Sequence, residues 1–427
     1  MSAAIRAVRR RIPSLVIHAG GAQDASFPRR TCRRQTNATT SRSSSGAMFG
    51  QVDMSSFHWF LPTNGDGRHV ANVVAAAGVA RRVLTRPASL AYLGQIARAA
   101  EQSGFDAVLT PTGAACEDAW ITTAALLSVT ERLRFLVAFR PGFLLPTLAA
   151  QQAATFQRLS GGRLAVNIVT GGDPAEQRAY GDTLSHDERY ARTAEFLQVF
   201  AGLWGPTRLS HDGPHYTLTD GGFPSLQAPR PDVYFGGASP AAEAVAARHA
   251  DVYLAWGEPL PDLVERLRRV RAAAAALGRS PRFGVRLHVI SRDTADEAWG
   301  EADRLLAGMD PEARAAAQAR FTTMESVGQA RMTSLTQGLA ALGSAYDQQV
   351  APNLWAGIGL LREGAGTALV GSHDEVADRL AELATAGFDE FILSGWPHVE
   401  EAYRVGEEVL PRFAARTSAA ETVPALG

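Results

Sequence analysis

From about residue 55 onward, short apolar runs alternate with longer stretches of helical periodicity. Strand candidates fall at 57–61, 107–110, 134–139, 164–169, 233–235, 252–255, 283–290 and 390–393, each bounded by Gly, Pro, Asp or Ser. Helical windows lie between most of them, at 90–102, 120–128, 147–159, 190–203, 240–248 and 260–276. Eight strands separated by helices predict an α/β chain folded as a (β/α)8 TIM barrel with insertions. A doubly wound sheet would call for a Gly-x-Gly-x-x-Gly turn after the first strand, and Asn64-Gly65-Asp66-Gly67 does not supply one. Residues 296–350 are polar and helix-rich, and they run into a Gly-rich stretch between strands seven and eight. They predict an inserted helical segment and a mobile loop at about 296–370. The organisation expected is a basic tail at 1–53, one barrel domain at 54–415 and a short tail at 416–427.

In such a barrel the chemistry collects where strands end. Those ends carry Asn64 and Asp66, Cys116 to Asp118, Asn167, Thr170 and Gly171, Trp256 to Glu258, and Ser394 to His398. Arg286 and His288 are two apart on strand seven, so both face the same side. Cations on one face of an otherwise apolar strand are costly to bury alone. Either a core carboxylate pairs Arg286, or an oxyanion ligand does so through paired hydrogen bonds. Cys116, taken alone, reads as a small buried hydrophobe or as a site thiol. His186 and Tyr190 share one face of a helix start, which fits an anion site or a simple capped terminus with an exposed histidine. Gly236-Gly237-Ala238-Ser239 leads into a helix and is another turn able to cradle phosphate.

Composition narrows the chemistry. The 427 residues include 42 basic side chains, all of them arginine, so lysine Schiff bases and a phosphate-loop lysine are excluded. A net charge of −1 gives the whole chain no electrostatic reason to bind nucleic acid or anionic lipid. No apolar run reaches membrane-spanning length. The two cysteines, Cys32 and Cys116, form neither a disulfide framework nor a zinc spacing. A cytoplasmic, metal-free protein is expected. Charge is uneven: nine arginines stand against Asp24 and Asp53 in residues 1–53. Readings for this tail are a transit peptide or, preferably, sequence upstream of a start at Met48 or Met54.

Six stretches occur in one order: Phe-Leu-Pro-Thr-Asn-Gly-Asp-Gly (60–67), Pro-Thr-Gly-Ala-Ala-Cys-Glu-Asp-Ala-Trp (111–120), Phe-Gly-Val-Arg-Leu-His-Val-Ile (283–290), Asn-Leu-Trp-Ala-Gly (353–357), Gly-Ala-Gly-Thr-Ala-Leu-Val-Gly (364–371) and Ser-Gly-Trp-Pro-His-Val-Glu-Glu-Ala-Tyr-Arg-Val-Gly-Glu (394–407). Together they resemble the bacterial FMNH2-dependent alkanesulfonate monooxygenases, which are bacterial-luciferase-like flavin barrels. The resemblance spans about 55–412. It implies a two-component system in which a separate NAD(P)H-dependent FMN reductase supplies FMNH2. With O2, the chain would then convert a small-molecule sulfonate to aldehyde and sulfite for sulfur acquisition. It also implies catalytic roles for Arg286, His288, Arg362, His398 and Cys116. FMN would be held by Asn167, His186, Tyr190 and Ser239, and substrate by Trp256, Arg286, Arg362 and Trp396. Relatives form dimers or tetramers, so a homo-oligomer is expected.

Two positions depart from the resemblance, Asn64 in place of histidine and Trp396 in place of tyrosine. They favour, as the nearest alternative, a related monooxygenase acting on a sulfone or sulfonated sugar. A deazaflavin hydride-transfer enzyme and a non-catalytic flavin-binding barrel are more distant alternatives. For the tail, a chain beginning at Met54 is expected to unfold at the same temperature and turn over at the same rate as the full chain. A less stable or inactive shorter chain would make residues 1–53 part of the enzyme.

Overall fold

The computed structural model describes residues 55–70, 85–222, 228–339 and 343–421. The predicted tail 1–53 lies outside these residues. Eight parallel strands close into a barrel: β1 (Ser56–Phe60), β2 (Ala107–Thr110), β3 (Arg134–Phe139), β4 (Leu164–Ile168), β5 (Asp232–Gly236), β6 (Val252–Trp256), β7 (Arg282–Arg292) and β8 (Glu390–Ser394). β7 pairs with β6 on one edge and β8 on the other, and β8 closes onto β1. Every predicted strand is present within two residues, and the predicted TIM-barrel class holds. Helices lie between the strands, as at Leu90–Gln102, Pro146–Ser160 and Leu260–Ala275. Polar side chains start several of them. Ser89, Asp118 and Ser239 each accept an N–H of the first turn, replacing a partner the helix itself cannot supply.

Alternation along the strands divides two cores. Residues facing outward pack the helices in one large cluster that includes Phe135, Val166, Phe235 and Phe283. Those facing inward fill the barrel: Phe60, Leu109, Leu136, Ala165, Tyr234, Val252, Leu254 and Ile392. Near the N-terminal ends of the strands the interior holds a polar knot. Glu390 accepts from Tyr234 and contacts His58 Nε2 at 2.9 Å, and Arg282 is its ion-pair partner.

The insertion between β7 and β8 is more than helices and a loop. It contains helices Ala295–Ala307, Pro311–Phe321 and Val327–Leu335, and then a small sheet built on the barrel. β6 pairs with β7 only as far as Trp256 opposite Arg286. From His288 onward the vacated edge takes the strand Ala368–Ser372, followed by Leu354–Trp355 and Gln349–Ala351. Pro352, Gly357 and the two-residue length of Leu354–Trp355 give these strands a loop-like pattern, and Asn353 (φ 60°) makes the turn between them. A second unpredicted hairpin, Leu209–Asp212 with Thr217–Gly221, is largely polar and half-exposed. The C-terminal helix Leu410–Glu421 runs into the predicted tail 416–427, where Arg416 pairs with Asp374 and Asp378.

Glu390 is buried, and removing it strands His58 and Tyr234 and leaves Arg282 with Asp232 as its remaining carboxylate partner. Glu390→Ala is expected to lower unfolding stability by about 3–5 kcal/mol, measurable by urea titration, without changing the residues that line the barrel mouth.

Candidate functional site

A cavity of about 370 Å3 opens at the C-terminal ends of the strands. Phe60, Asn64, Cys116, Arg140, Asn167, Trp256 and Arg286 line it from the barrel, with His186 and Tyr190 from the helix His186–Gly202. Met324, Ser326, Gly328, Gln329 and Arg362 come from the insertion. Of the residues predicted from sequence, Arg286, Arg362, Cys116, Asn167, His186, Tyr190 and Trp256 therefore meet in one space. His288, His398, Ser239 and Trp396 lie behind its wall.

Arg286 and Arg362 share one aromatic platform. Their guanidinium carbons lie 4.8 and 5.1 Å from the centre of the Phe60 ring, and Arg362 also lies 5.8 Å from Trp396. Arg286 is 5% exposed and donates only to neutral groups: the Leu287 and Ile392 carbonyls and the Ser394 hydroxyl. The Arg362 guanidinium has no hydrogen-bond or ion-pair partner among the described residues, while its backbone N–H donates to the Ile358 carbonyl at 3.0 Å. Removal from water, followed by the charge of Arg362, pulls the Arg286 guanidinium well below its ordinary range, and Arg362 is lowered by the same loss of water. The alternative of a core carboxylate pairing Arg286 is not realised.

Other cations around the mouth are paired. Glu258 binds Arg266 at 2.7 Å and Arg331 at 2.5 Å; Asp173 binds Arg320 at 2.5 Å, and Glu325 binds Arg189 at 2.6 Å. Arg331, Arg320 and Glu325 belong to the insertion, so these pairs pin it to the barrel rim. The segment carrying Arg362 is held as well: Gln318 donates to the Gly359 and Leu360 carbonyls, and Gln329 accepts from the Gly364 N–H. Gly359 and Gly366 approach so closely that a Cβ on Gly366 would sit 2.7 Å from the Gly359 Cα.

His288 differs from its predicted role as a group titrating near neutrality in the pocket. It is fully buried, contacts Ser394 Oγ through Nδ1 at 2.7 Å and the Ala365 carbonyl through Nε2 at 3.0 Å, and stacks on Trp396 with ring centres 4.6 Å apart. Burial, then the charges of Arg286 and Arg362, hold it well below its ordinary range. Trp396 separates His288 from His398, whose Nδ1 lies 2.9 Å from Asp66 and whose buried Nε2 has no partner. Burial pushes the Cys116 thiol up, against weaker opposing effects of Thr63 and Arg362, so it stands as a neutral thiol.

A second part of the cavity suits an anion. Ser239 caps the helix Pro240–His249 by accepting the Ala242 N–H at 3.1 Å, and Gly237 precedes it with φ 139°. A Cβ on Gly237 would lie 2.5 Å from the Ala242 Cβ and 3.2 Å from the Tyr190 hydroxyl, so the close approach requires glycine. Burial raises the Tyr190 hydroxyl, against weaker opposing effects of Ser239, Arg189 and Thr170, and Thr170 Oγ1 is buried with no partner. Among the described residues no group of three His, Cys, Asp or Glu side chains is gathered to hold a metal.

The sequence pattern assigns no role to Phe60 or Arg140, and places Ser394 among the strand ends without a role. Parity could have found Ser394, which faces inward opposite His288 on the neighbouring strand. Arg140 ends β3 as a cation buried in the cavity wall, paired with Glu176 at 2.6 Å. Phe60 carried no polar signal.

Comparison with known proteins adds the following. The family described as Luciferase-like monooxygenase matches residues 55–390. Among solved structures, a riboflavin lyase with modified FMN and riboflavin superposes with a TM-score of 0.68 at 22% identity, over 85% of this chain and 92% of that one. An EDTA monooxygenase from Chelativorans sp. BNC1 gives 0.66 at 22% identity, over 85% and 94%. A long-chain alkane monooxygenase gives 0.69 at 21% identity, over 86% and 92%. At these identities the likeness is one of fold. No helix among the described residues is long and apolar enough to cross a membrane.

The Asp66–His398 pair joins the β1 end to the start of the last barrel helix and has a pH signature. Burial alone would raise Asp66, but the charge and hydrogen bonds of His398, with that of Tyr92, lower it from 3.8 to about 2. Its contribution is thus complete above pH 3.8 and lost as pH falls toward 2, about 2 kcal/mol in all. Asp66→Asn should flatten that limb of the stability–pH curve; an unchanged acid limb would show the pair contributes nothing.

Proposed function

The chain belongs to the luciferase-like monooxygenase family, and on that premise we propose that it is a two-component alkanesulfonate monooxygenase. Its reductant would be FMNH2 delivered by a separate NAD(P)H-dependent FMN reductase. The observation that carries the reading is the Arg286–Arg362 pair, two guanidiniums on one phenyl ring and ion-paired to no carboxylate among the described residues. They face a cavity whose carboxylates Asp173, Glu176, Glu258 and Glu363 are paired to other arginines. A sulfonate offers both guanidiniums a charged acceptor and offsets their mutual repulsion.

The residues present fit FMN. His186, Tyr190, Thr170 and Ser239, around Gly237 at a helix N-terminus, suit its phosphate, and Asn167 on the barrel's inner face suits the ring system. When bound, reduced FMN supplies the two electrons by which one atom of O2 enters the substrate and the other leaves as water. The balance is alkanesulfonate, FMNH2 and O2 to aldehyde, sulfite, FMN, water and a proton. The chain's own residues do the rest. Arg286 and Arg362 fix the sulfonate, so the carbon next to sulfur is held in one place. Phe60, Trp256, Met324, Ser326 and Gly328 wall the cavity with apolar and small groups that exclude water. His398, with its unpartnered Nε2 and Asp66 fixing the other nitrogen, is the imidazole available to hold a proton nearby. Trp396 shapes the wall beneath Arg362, where a tyrosine would have offered a hydroxyl.

Sulfite release from a sulfonate panel, with reduced FMN and O2, tests the proposal, and a parallel panel of sulfones and carboxylates tests the rivals. Arg286→Ala should weaken sulfonate binding by about one to two decades, and Arg286→Lys should rescue little. Arg362→Ala should lower sulfite yield and raise hydrogen peroxide per FMNH2 oxidised, even at saturating sulfonate. Wild-type sulfite yield and affinity in both variants would make these arginines structural.

A further inference from the structure

We propose that Ser394 is a positioning residue: its hydroxyl aims Arg286 into the cavity and, through His288, ties that arginine to the segment that carries Arg362. The inference rests on the oxyanion-clamp reading of the two arginines.

Three contacts in series make the link. Arg286 Nη2 meets Ser394 Oγ at 2.8 Å, Ser394 Oγ meets His288 Nδ1 at 2.7 Å, and His288 Nε2 meets the Ala365 carbonyl at 3.0 Å. The direction of each follows from chemistry. A guanidinium only donates, so Ser394 Oγ accepts from Arg286. A backbone carbonyl only accepts, so Nε2 of His288 carries hydrogen. The charges facing His288 are those of Arg286 and Arg362, with His398 beyond Trp396, and with burial they keep the ring neutral. Nδ1 is then bare, and the single proton of Ser394 goes to it. The hydroxyl is engaged on both sides and has one orientation.

Water does not compete for these bonds, because Ser394 and His288 are 0% exposed and Arg286 is 5% exposed. Arg286 Nη1 is meanwhile held by the Leu287 carbonyl, so the guanidinium plane is fixed from two points and its remaining N–H groups serve the cavity. At the far end of the relay, Ala365 lies three residues beyond Arg362. The same short segment is clamped by the Gly359–Gly366 hydrogen bond at 2.8 Å and by Gln329 on Gly364. A displacement of the His288 ring therefore moves the backbone that presents Arg362. Register explains why serine occupies this place: Ser394 lies opposite His288 and two residues beyond Ile392, which lies opposite Arg286. From that place one hydroxyl reaches both side chains.

The test joins a spectroscopic and a binding measurement. In 15N NMR of the wild-type protein at neutral pH, His288 is expected as the neutral Nε2–H tautomer, with Nδ1 accepting a hydrogen bond. In Ser394→Ala the Nδ1 resonance should move toward that of a bare nitrogen. By calorimetry, Ser394→Ala should bind octanesulfonate about tenfold more weakly while binding FMN unchanged, and Ser394→Thr should restore most of the loss. In turnover, the variant should show a raised KM for sulfonate and more peroxide per FMNH2 oxidised. A protonated or Nδ1–H His288 in the wild type overturns the proposal without any variant being needed. Wild-type octanesulfonate affinity in Ser394→Ala overturns the positioning role alone. Failure of the wild type itself to bind octanesulfonate overturns the oxyanion reading, and the positioning role with it.

Discussion

Placing two guanidiniums beside one another at the mouth of an apolar barrel is costly, because each loses water and repels the other. Most cations around this mouth offset that cost with a carboxylate: Arg266 and Arg331 with Glu258, Arg320 with Asp173, Arg140 with Glu176. Arg286 and Arg362 do not. They are held by a serine hydroxyl, backbone carbonyls and the face of Phe60, all neutral. It is this cost that the proposed sulfonate would offset.

Much of the surrounding structure answers to that constraint. β7 extends beyond its barrel neighbour β6, and the strand Ala368–Ser372 attaches to the extension at His288, which places the Arg362 segment over the barrel. Ion pairs with the rim hold the insertion helices that support this segment. The turn Gly236–Ala238 follows β5 and lines another part of the same cavity, with the helix cap Ser239 behind it. On the proposed function, one part would take the phosphate of the cofactor and the other the sulfonate of the substrate.

The barrel was legible in the sequence because each strand is a short apolar run with turn residues at both ends, and because β7 announces its inward face through Arg286 and His288. Seven of the eleven residues expected at the site line its cavity. What the sequence hid has physical causes. The strands Leu354–Trp355 and Gln349–Ala351 owe their pairing to a β7 edge that exists only in the folded barrel. His288 looks like a titrating group until its burial and two neighbouring guanidiniums are known, and Trp396 looks like a pocket wall until it is found stacked on that histidine. Phe60 and Ser394 bear no unusual chemistry of their own. Their importance comes from which cations the register sets against them.

If the two arginines clamp an oxyanion, charge on the ligand, rather than its apolar tail, decides occupancy beside Phe60. Calorimetric titration of the wild-type protein with octanesulfonate and with the uncharged methyl octyl sulfone measures this directly. The sulfonate is expected to bind at least about tenfold more tightly, since charge-assisted hydrogen bonds to the arginines are worth about 1.5–3 kcal/mol. Equal affinity for the two, or preference for the sulfone, would contradict it.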